Sequence, residues 1–245
     1  MNTRQFKYFT LLSVALSSSQ VIAAQHPASF REAKVEMVKI FKQLNKPETL
    51  YCGCSIEFPH RGGYKPNLES CGYVIKADEK RAERIEAEHI MPAWEFGHNL
   101  SCWENVEKGK GRENCEDSSE LFNRMESDLH NLYPAVGEIN KERSNYGFTE
   151  YLQNKDRLEP FGHCQMYISP SHHLALPPER SRGIIARAYL YMSYQYKIPL
   201  DKNHLELFYK WDKEFSPTPN ECLRDTLIKE VQGNSNPFLE GRCRR

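Results

Sequence analysis

The 245-residue sequence predicts an α+β fold: a single mixed domain, mainly helical, with a small antiparallel sheet and disulfide staples. Three observations predict it. Apolar residues recur at helical spacing in several segments, while two short runs alternate as strands do. All eight cysteines, at 52, 54, 71, 102, 115, 164, 222 and 243, follow a leader-like opening. An even number of cysteines in an exported chain points to disulfides. The competing reading, a zinc site, lacks a Cys-x-x-Cys pair, and Cys52 and Cys54 stand too close for the usual ligand spacing. The chain is long enough to bury a real core, and it shows no internal repeat or low-complexity linker that would divide it.

Residues 1–24 have the layout of a signal peptide. Arg4 and Lys7 precede a short apolar run over 9–16, and small residues follow, placing cleavage near Ala23 or Ala24. The run is too short to span a bilayer, and no later segment approaches the roughly 20 apolar residues that spanning requires. An exported protein with one domain over 25–245 is expected, in the periplasm or secreted, monomeric and without a membrane partner.

Ser29 followed by Glu32 forms a capping box, and Phe30, Ala33, Met37, Phe41 and Leu44 recur behind it at helical spacing, so a first amphipathic helix is predicted there. Three cysteines and several Gly and Pro make 51–73 a stapled loop region. Residues 73–77 and 84–90 are expected to be two strands of a hairpin, with 78–83 as the polar connection. Segment 92–120, rich in Gly, Trp and charge, is expected to be a long ordered loop. Cys102 and Cys115 are its expected local bridge, contributing roughly 3 kcal/mol in the chain-entropy model. Segment 121–145 has helical spacing in pieces, with Pro134 starting a second helix or kinking the first. Residues 184–196 predict a strongly periodic helix, and a shorter one follows from about Asp201. Thr218, Pro219 and Glu221 open a last helix that Gly233 ends.

Charge narrows the partners. Lys and Arg total 33, as do Asp and Glu; losing Arg4 and Lys7 with the leader leaves 31 basic against 33 acidic residues, or −2. That balance argues against a protein that merely coats nucleic acid. Local basic surfaces remain open at Lys80, Arg81 and Arg84, at Lys108, Lys110 and Arg112, and at Arg180, Arg182 and Arg187.

The residues with chemistry to offer lie in two stretches. Glu88 and His89 stand together at the end of a predicted strand that Pro92 stops. A neutral imidazole can take a proton from water near neutral pH. Hydrolysis of a phosphodiester also needs charge neutralised on the phosphate, which one divalent ion can supply. Glu88 and the amide oxygen of Asn131 are hard ligands of the kind Mg²⁺ accepts. This works only if a helix carrying Asn131 packs against the strand end. Neighbours on a regular strand also point to opposite faces, so Glu88 and His89 could share a site only at a frayed strand end. On the residues alone, an ordinary surface pair is the simpler account.

An ordered block of motifs weighs against that simpler account. Glu-His-Ile-Met-Pro-Ala-Trp-Glu-Phe-Gly-His at 88–98, Cys102-Trp103, Gly-Arg-Glu-Asn-Cys at 111–115 and Asp-Leu-His-Asn-Leu-Tyr-Pro-Ala-Val-Gly-Glu-Ile-Asn at 128–140 follow one another. With Arg143-Ser144-Asn145-Tyr146 and Val231-Gln232-Gly233-Asn234, they closely resemble the endonuclease I family of periplasmic or secreted bacterial nucleases. The likeness runs from about Phe30 to Phe238. It implies a ββα-metal element, in which a hairpin and a crossing helix build the site, and cleavage of DNA, often also RNA, to 5′-phosphate products with little sequence preference. By motif, His89 is the expected general base, Glu88 and Asn131 the Mg²⁺ ligands, and Arg112 the phosphate-binding arginine. An insertion around 105–110 departs from the shorter family pattern and adds Lys108 and Lys110. His98 and His130 are read as structural. Trp94, Phe96 and Trp103 are read as packing around the site, with stacking on splayed bases as the alternative. Asn140, Arg143 and Asn145 either position the helix or touch phosphates. Two rivals stand beside this reading: a zinc phosphoesterase using His89, His98 and His130, and a non-catalytic disulfide-stapled binding module.

Overall fold

A computed structural model describes residues 25–59, 63–104 and 106–243, so the leader reading of 1–24 lies outside the described residues. Helix α1, Phe30–Phe41, starts where the capping box predicts, with Ser29 Oγ accepting from the Glu32 backbone N–H. Its Ala33, Met37, Ile40 and Phe41 are buried. Strands β1, Ser55–Glu57, and β2, Lys65–Asn67, form a small antiparallel pair within the stapled region.

Segment 73–77 is not a strand. Its neighbouring backbone N–H groups, at Lys76, Ala77 and Asp78, donate to the buried Glu138 carboxylate, as does the Tyr73 hydroxyl. A side chain thus takes the donors that a partner strand would have used. The connection at 78–83 holds a one-turn helix α2, Glu79–Ala82, capped by Asp78. The following strand β3, Ile85–His89, pairs instead with β4, Leu132–Val136, antiparallel, with Glu88 opposite Tyr133 and His89 opposite Leu132.

Between those strands, the expected loop is helical. It forms α3, Ala93–Gly97; α4, Ser101–Glu104; and α5, Gly111–Ser118. Helix α6, Glu120–Glu126, follows. Two of the glycines that suggest a loop are close-packing sites: a Cβ at Gly97 would fall 2.7 Å from Phe122, and one at Gly111 2.4 Å from the Trp103 ring. Pro134 sits inside β4, where neither helix start nor kink exists. All five residues of β4 are buried, and a strand buried on both faces shows no alternation by which to detect it. The missing Pro134 N–H costs little in a two-stranded sheet. Its carbonyl accepts from the Leu50 N–H at 2.8 Å.

Helix α7, Gly137–Arg143, leaves β4 directly and packs back on β3. Strands β5, Gly147–Phe148, β6, Tyr167–Ser169, and β7, Leu174–Leu176, make a small mixed sheet in the order β5-β7-β6. Helix α8, Glu179–Tyr196, forms the central core element, with Ile185, Tyr189, Tyr191 and Met192 buried. Helix α9, Lys202–Glu214, capped by Asp201, lies along it. Helix α10, Pro219–Gln232, has the expected Thr218 cap, and Gly233 adopts φ +93° at its end.

Arg187 is buried on α8 and joins Asp212 and Glu221, so it ties three helices together and offers no basic surface. Four disulfides are present: Cys52–Cys164, Cys54–Cys71, Cys102–Cys115 and Cys222–Cys243. The third is the expected local bridge. Among the described residues, no helix is long and apolar enough to cross a membrane.

Candidate active site

Strands β3 and β4 with helix α7 form a β-β-α unit beside a cleft of about 800 Å³. Glu86, Ala87, Glu88 and His89 all line it in succession. This answers the opposite-face difficulty. The sheet has only two strands, so β3 keeps one free edge, and side chains from both faces of an edge strand can reach the same cleft.

On one face, Glu88 meets α7 and the core. It is 2% exposed. Its Oε1 accepts from Tyr51 Oη at 2.5 Å and from Arg143 NH1 at 2.8 Å. Burial pushes the Glu88 carboxyl up, and Arg143 and the Tyr51 hydroxyl hold it back down. The Tyr51 phenol is pushed well up by burial and by Glu88, so it remains a donor. Arg143, 1% exposed, also donates to the carbonyls of His89 at 3.0 Å and Ile90 at 2.5 Å. One guanidinium thereby fixes both the carboxylate and the backbone that carries His89.

On the other face, His89 is packed between Phe30, with ring centroids 4.7 Å apart, and Phe96, at 5.9 Å. Its Nε2 lies 2.8 Å from the Glu126 carbonyl oxygen. A carbonyl can only accept, so Nε2 carries the proton and Nδ1 keeps its lone pair. Burial pushes the imidazole down to about 3. His89 is therefore neutral at any physiological pH.

The Gly-Arg-Glu-Asn-Cys motif positions the phosphate-binding candidate. Gly111 lets α5 start against the Trp103 ring, Asn114 Nδ2 donates to the Cys102 carbonyl at 2.6 Å, and Cys115 bonds Cys102. Arg112 then faces the cleft. Its Nε and NH2 reach Glu126 Oε1 at 2.8 and 2.6 Å. Glu126 thus holds Arg112 through its carboxylate and His89 through its carbonyl.

Asn131 is placed differently from expectation. It lies in a turn ahead of β4, not on a helix, and is fully buried. Its Oδ1 accepts from the Met91 N–H at 2.7 Å and its Nδ2 donates to the Met91 carbonyl at 2.9 Å. Each end of the amide makes one bond to Met91, which pins the chain just after His89. Like Asn145, Asn140 on α7 does line the cleft, together with Glu88. Its Nδ2 donates to Glu86 Oε2 at 2.9 Å, which leaves its oxygen for other work. Glu86 is itself neutralised by Arg81 and Arg84. The spacing of Asn140 and Arg143, one helical turn apart and just after a strand, carries a signal for this pair. No local signal marks Tyr51, Glu86 or Glu126.

The remaining predicted residues divide clearly. His130 is buried away from the cleft, 3.1 Å from the Asn234 carbonyl and packed at a tilt on Tyr191, with ring centroids 4.4 Å apart. His98 bonds the Trp94 carbonyl. The three histidines of the zinc alternative do not converge, and among the described residues no group of three or more His, Cys, Asp or Glu could hold a metal ion. Phe96 packs on His89 and Phe122, and Trp103 on Phe122. Trp94 is 47% exposed at the cleft.

Comparison with known proteins places the chain in a family. The family model described as Endonuclease I matches residues 29–243. A protein named periplasmic deoxyribonuclease, from Aeromonas hydrophila, is 42% identical over 95% of this chain and 94% of its own. An extracellular deoxyribonuclease from the same species is 42% identical over 97% of this chain and 99% of its own. Endonuclease-1 of Buchnera aphidicola subsp. Baizongia pistaciae is 41% identical over the whole of this chain and 97% of its own. With the motifs, the β-β-α unit and near full-length similarity in agreement, the chain belongs to the endonuclease I family.

Proposed function

We propose that the protein is an exported endonuclease that hydrolyses DNA, and also RNA, with little sequence preference, acting as a monomer with a divalent metal ion, Mg²⁺. The observation that carries the reading is His89: a neutral imidazole with its Nε2 proton given to the Glu126 carbonyl, at the rim of a cleft shared with Arg112 and Glu88. The names of the relatives, periplasmic and extracellular deoxyribonucleases, support the substrate and the compartment.

His89 Nδ1 accepts a proton from water as the water oxygen bonds to phosphorus. The bond to the 3′-oxygen breaks, that oxygen takes a proton from solvent, and a 5′-phosphate and a 3′-hydroxyl are left. Arg112 holds the phosphate by charge-assisted bonds. Contacts of this kind address the backbone and read no sequence.

The donor set fits a hard cation. Glu88 and the Asn140 amide are oxygen donors on two elements of one cleft, the chemistry that Mg²⁺ prefers with water completing its shell. A cation bound there supplies charge neutralisation at the phosphate and the leaving oxygen. Glu86 orients Asn140 by accepting a hydrogen bond from its Nδ2, and Arg143 with Tyr51 keeps Glu88 aimed. We assign Asn131 to holding the Met91 turn and Asn140 to the second ligand position.

Supercoiled plasmid incubated with the mature protein should be cleaved in Mg²⁺ and spared in EDTA. His89→Ala should abolish cleavage and retain nucleic-acid binding. Intact plasmid in Mg²⁺ with wild type, or unchanged cleavage by the variant, refutes the reading.

A further inference from the structure

We propose that Trp94 is a stacking platform for an unpaired nucleobase, so that the cleft favours single-stranded or locally melted nucleic acid beyond what phosphate contacts alone would give. The proposal rests on the nuclease reading of the same cleft and adds a strand-state preference to it.

Three tryptophans occur in the chain, and the other two are buried wholly or in part, although Trp103 also lines the cleft. Trp211 is fully buried. Trp103 is wedged between Gly97, Gly111 and Phe122. Trp94 stands apart at 47% exposure, on the lip of the cleft that holds His89 and Arg112. Leaving so large an apolar ring in water forgoes the burial that normally justifies a tryptophan.

The ring is nonetheless held still. His98 lies parallel to it, with centroids 4.1 Å apart and planes 7° apart. His98 is itself locked, its Nδ1 2.7 Å from the Trp94 carbonyl oxygen. The short helix α3 carrying both is anchored by Phe96, which packs on His89 and Phe122, and by Glu95, which accepts from Tyr189 Oη at 2.8 Å. One face of the indole is therefore backed by His98 while the ring remains half open to solvent. A buttressed, solvated aromatic beside phosphate-binding cations is the arrangement by which proteins stack single-stranded bases without reading their identity. Bases within a duplex are already stacked on each other and offer no free face. The platform therefore acts on single strands, RNA loops, gaps and frayed ends.

The test uses full-length mature protein carrying His89→Ala, so that substrate is not consumed. Fluorescein-labelled single-stranded and duplex oligonucleotides of equal length are titrated in Mg²⁺ against this protein and against versions with Trp94→Ala or Trp94→Phe. Trp94→Ala should shift the ratio of single-strand to duplex Kd by about 5- to 150-fold, the range a lost base stack produces. Trp94→Phe should restore most of the preference, a rescue that a merely structural role would not show. An unchanged ratio, or a phenylalanine variant no better than alanine, overturns the stacking role. If those results come from a protein whose wild type cleaves plasmid, the nuclease reading survives and the platform alone fails. If wild type neither cleaves nor binds either oligonucleotide, both fall.

Discussion

Arg143→Met should cost the protein about 3–5 kcal/mol of stability, because it leaves Glu88 buried as an uncompensated charge. Methionine keeps the apolar stem of arginine but ends where Nε stands, so the change removes the charge and donors together with the volume of the guanidinium head. The native guanidinium is 1% exposed and spans Glu88 at 2.8 Å and the carbonyls of His89 and Ile90 at 3.0 and 2.5 Å. For a chain of this size the loss corresponds to a fall in Tm of roughly 6–20 °C. Urea unfolding should be followed with the disulfides intact and in EDTA, which keeps ligand linkage out of the comparison. The decisive measurement is the double-mutant cycle with Glu88→Gln. Removing the carboxylate's charge removes the reason for most of the penalty, so the double variant should be more stable than additivity predicts by about 2 kcal/mol or more. Strict additivity, or a cost for Arg143→Met below about 1 kcal/mol, would refute the view that this pair is held by mutual neutralisation. The same guanidinium fixes the backbone that carries His89, so on the proposed mechanism a surviving fold should still be catalytically poor.

The two asparagines should separate cleanly. Asn140→Ala should leave the unfolding midpoint within about 0.5 kcal/mol of wild type but weaken Mg²⁺ binding measured by calorimetry. Asn131→Ala orphans the Met91 N–H and carbonyl and should destabilise by about 1–3 kcal/mol; the reverse pattern would restore Asn131 as the ligand. His89 makes stability depend on pH. Its folded value, pushed down to about 3, lies below the ordinary 6.5, so the unfolded chain binds the extra proton between those values and stability is lost as pH falls through that window. At pH 4.5 this amounts to roughly 2–3 kcal/mol. His89→Gln, which cannot titrate, should therefore lose that much less than wild type between pH 7.5 and 4.5 in urea titrations, and parallel pH profiles would contradict the assignment.

The sequence by itself determined the parts whose physics is local. The caps at Ser29 and Thr218, the buried stripe of α8, the left-handed stop at Gly233 and the Cys102–Cys115 bridge all depend on residues within a few turns of each other. The candidates Glu88, His89 and Arg112 stand out equally in the sequence, because the ordered motifs carry them, and the fold brings all three to one cleft. Tertiary structure decided who meets whom. Residues 73–77 have a strand's composition, yet Glu138, some 60 positions away, claims their donors. Strand β4 gave no periodic sign because both its faces are buried, and so the partner of β3 and the place of Asn131 were misread together. Tyr51 and Arg143 reach Glu88 across 37 and 55 positions, a separation at which no spacing rule operates. Trp94, Phe96 and Trp103 read alike as aromatic packing in the chain. Which of the three remains in solvent depends on the shape of the cleft, because burial belongs to the folded surface and not to the residue.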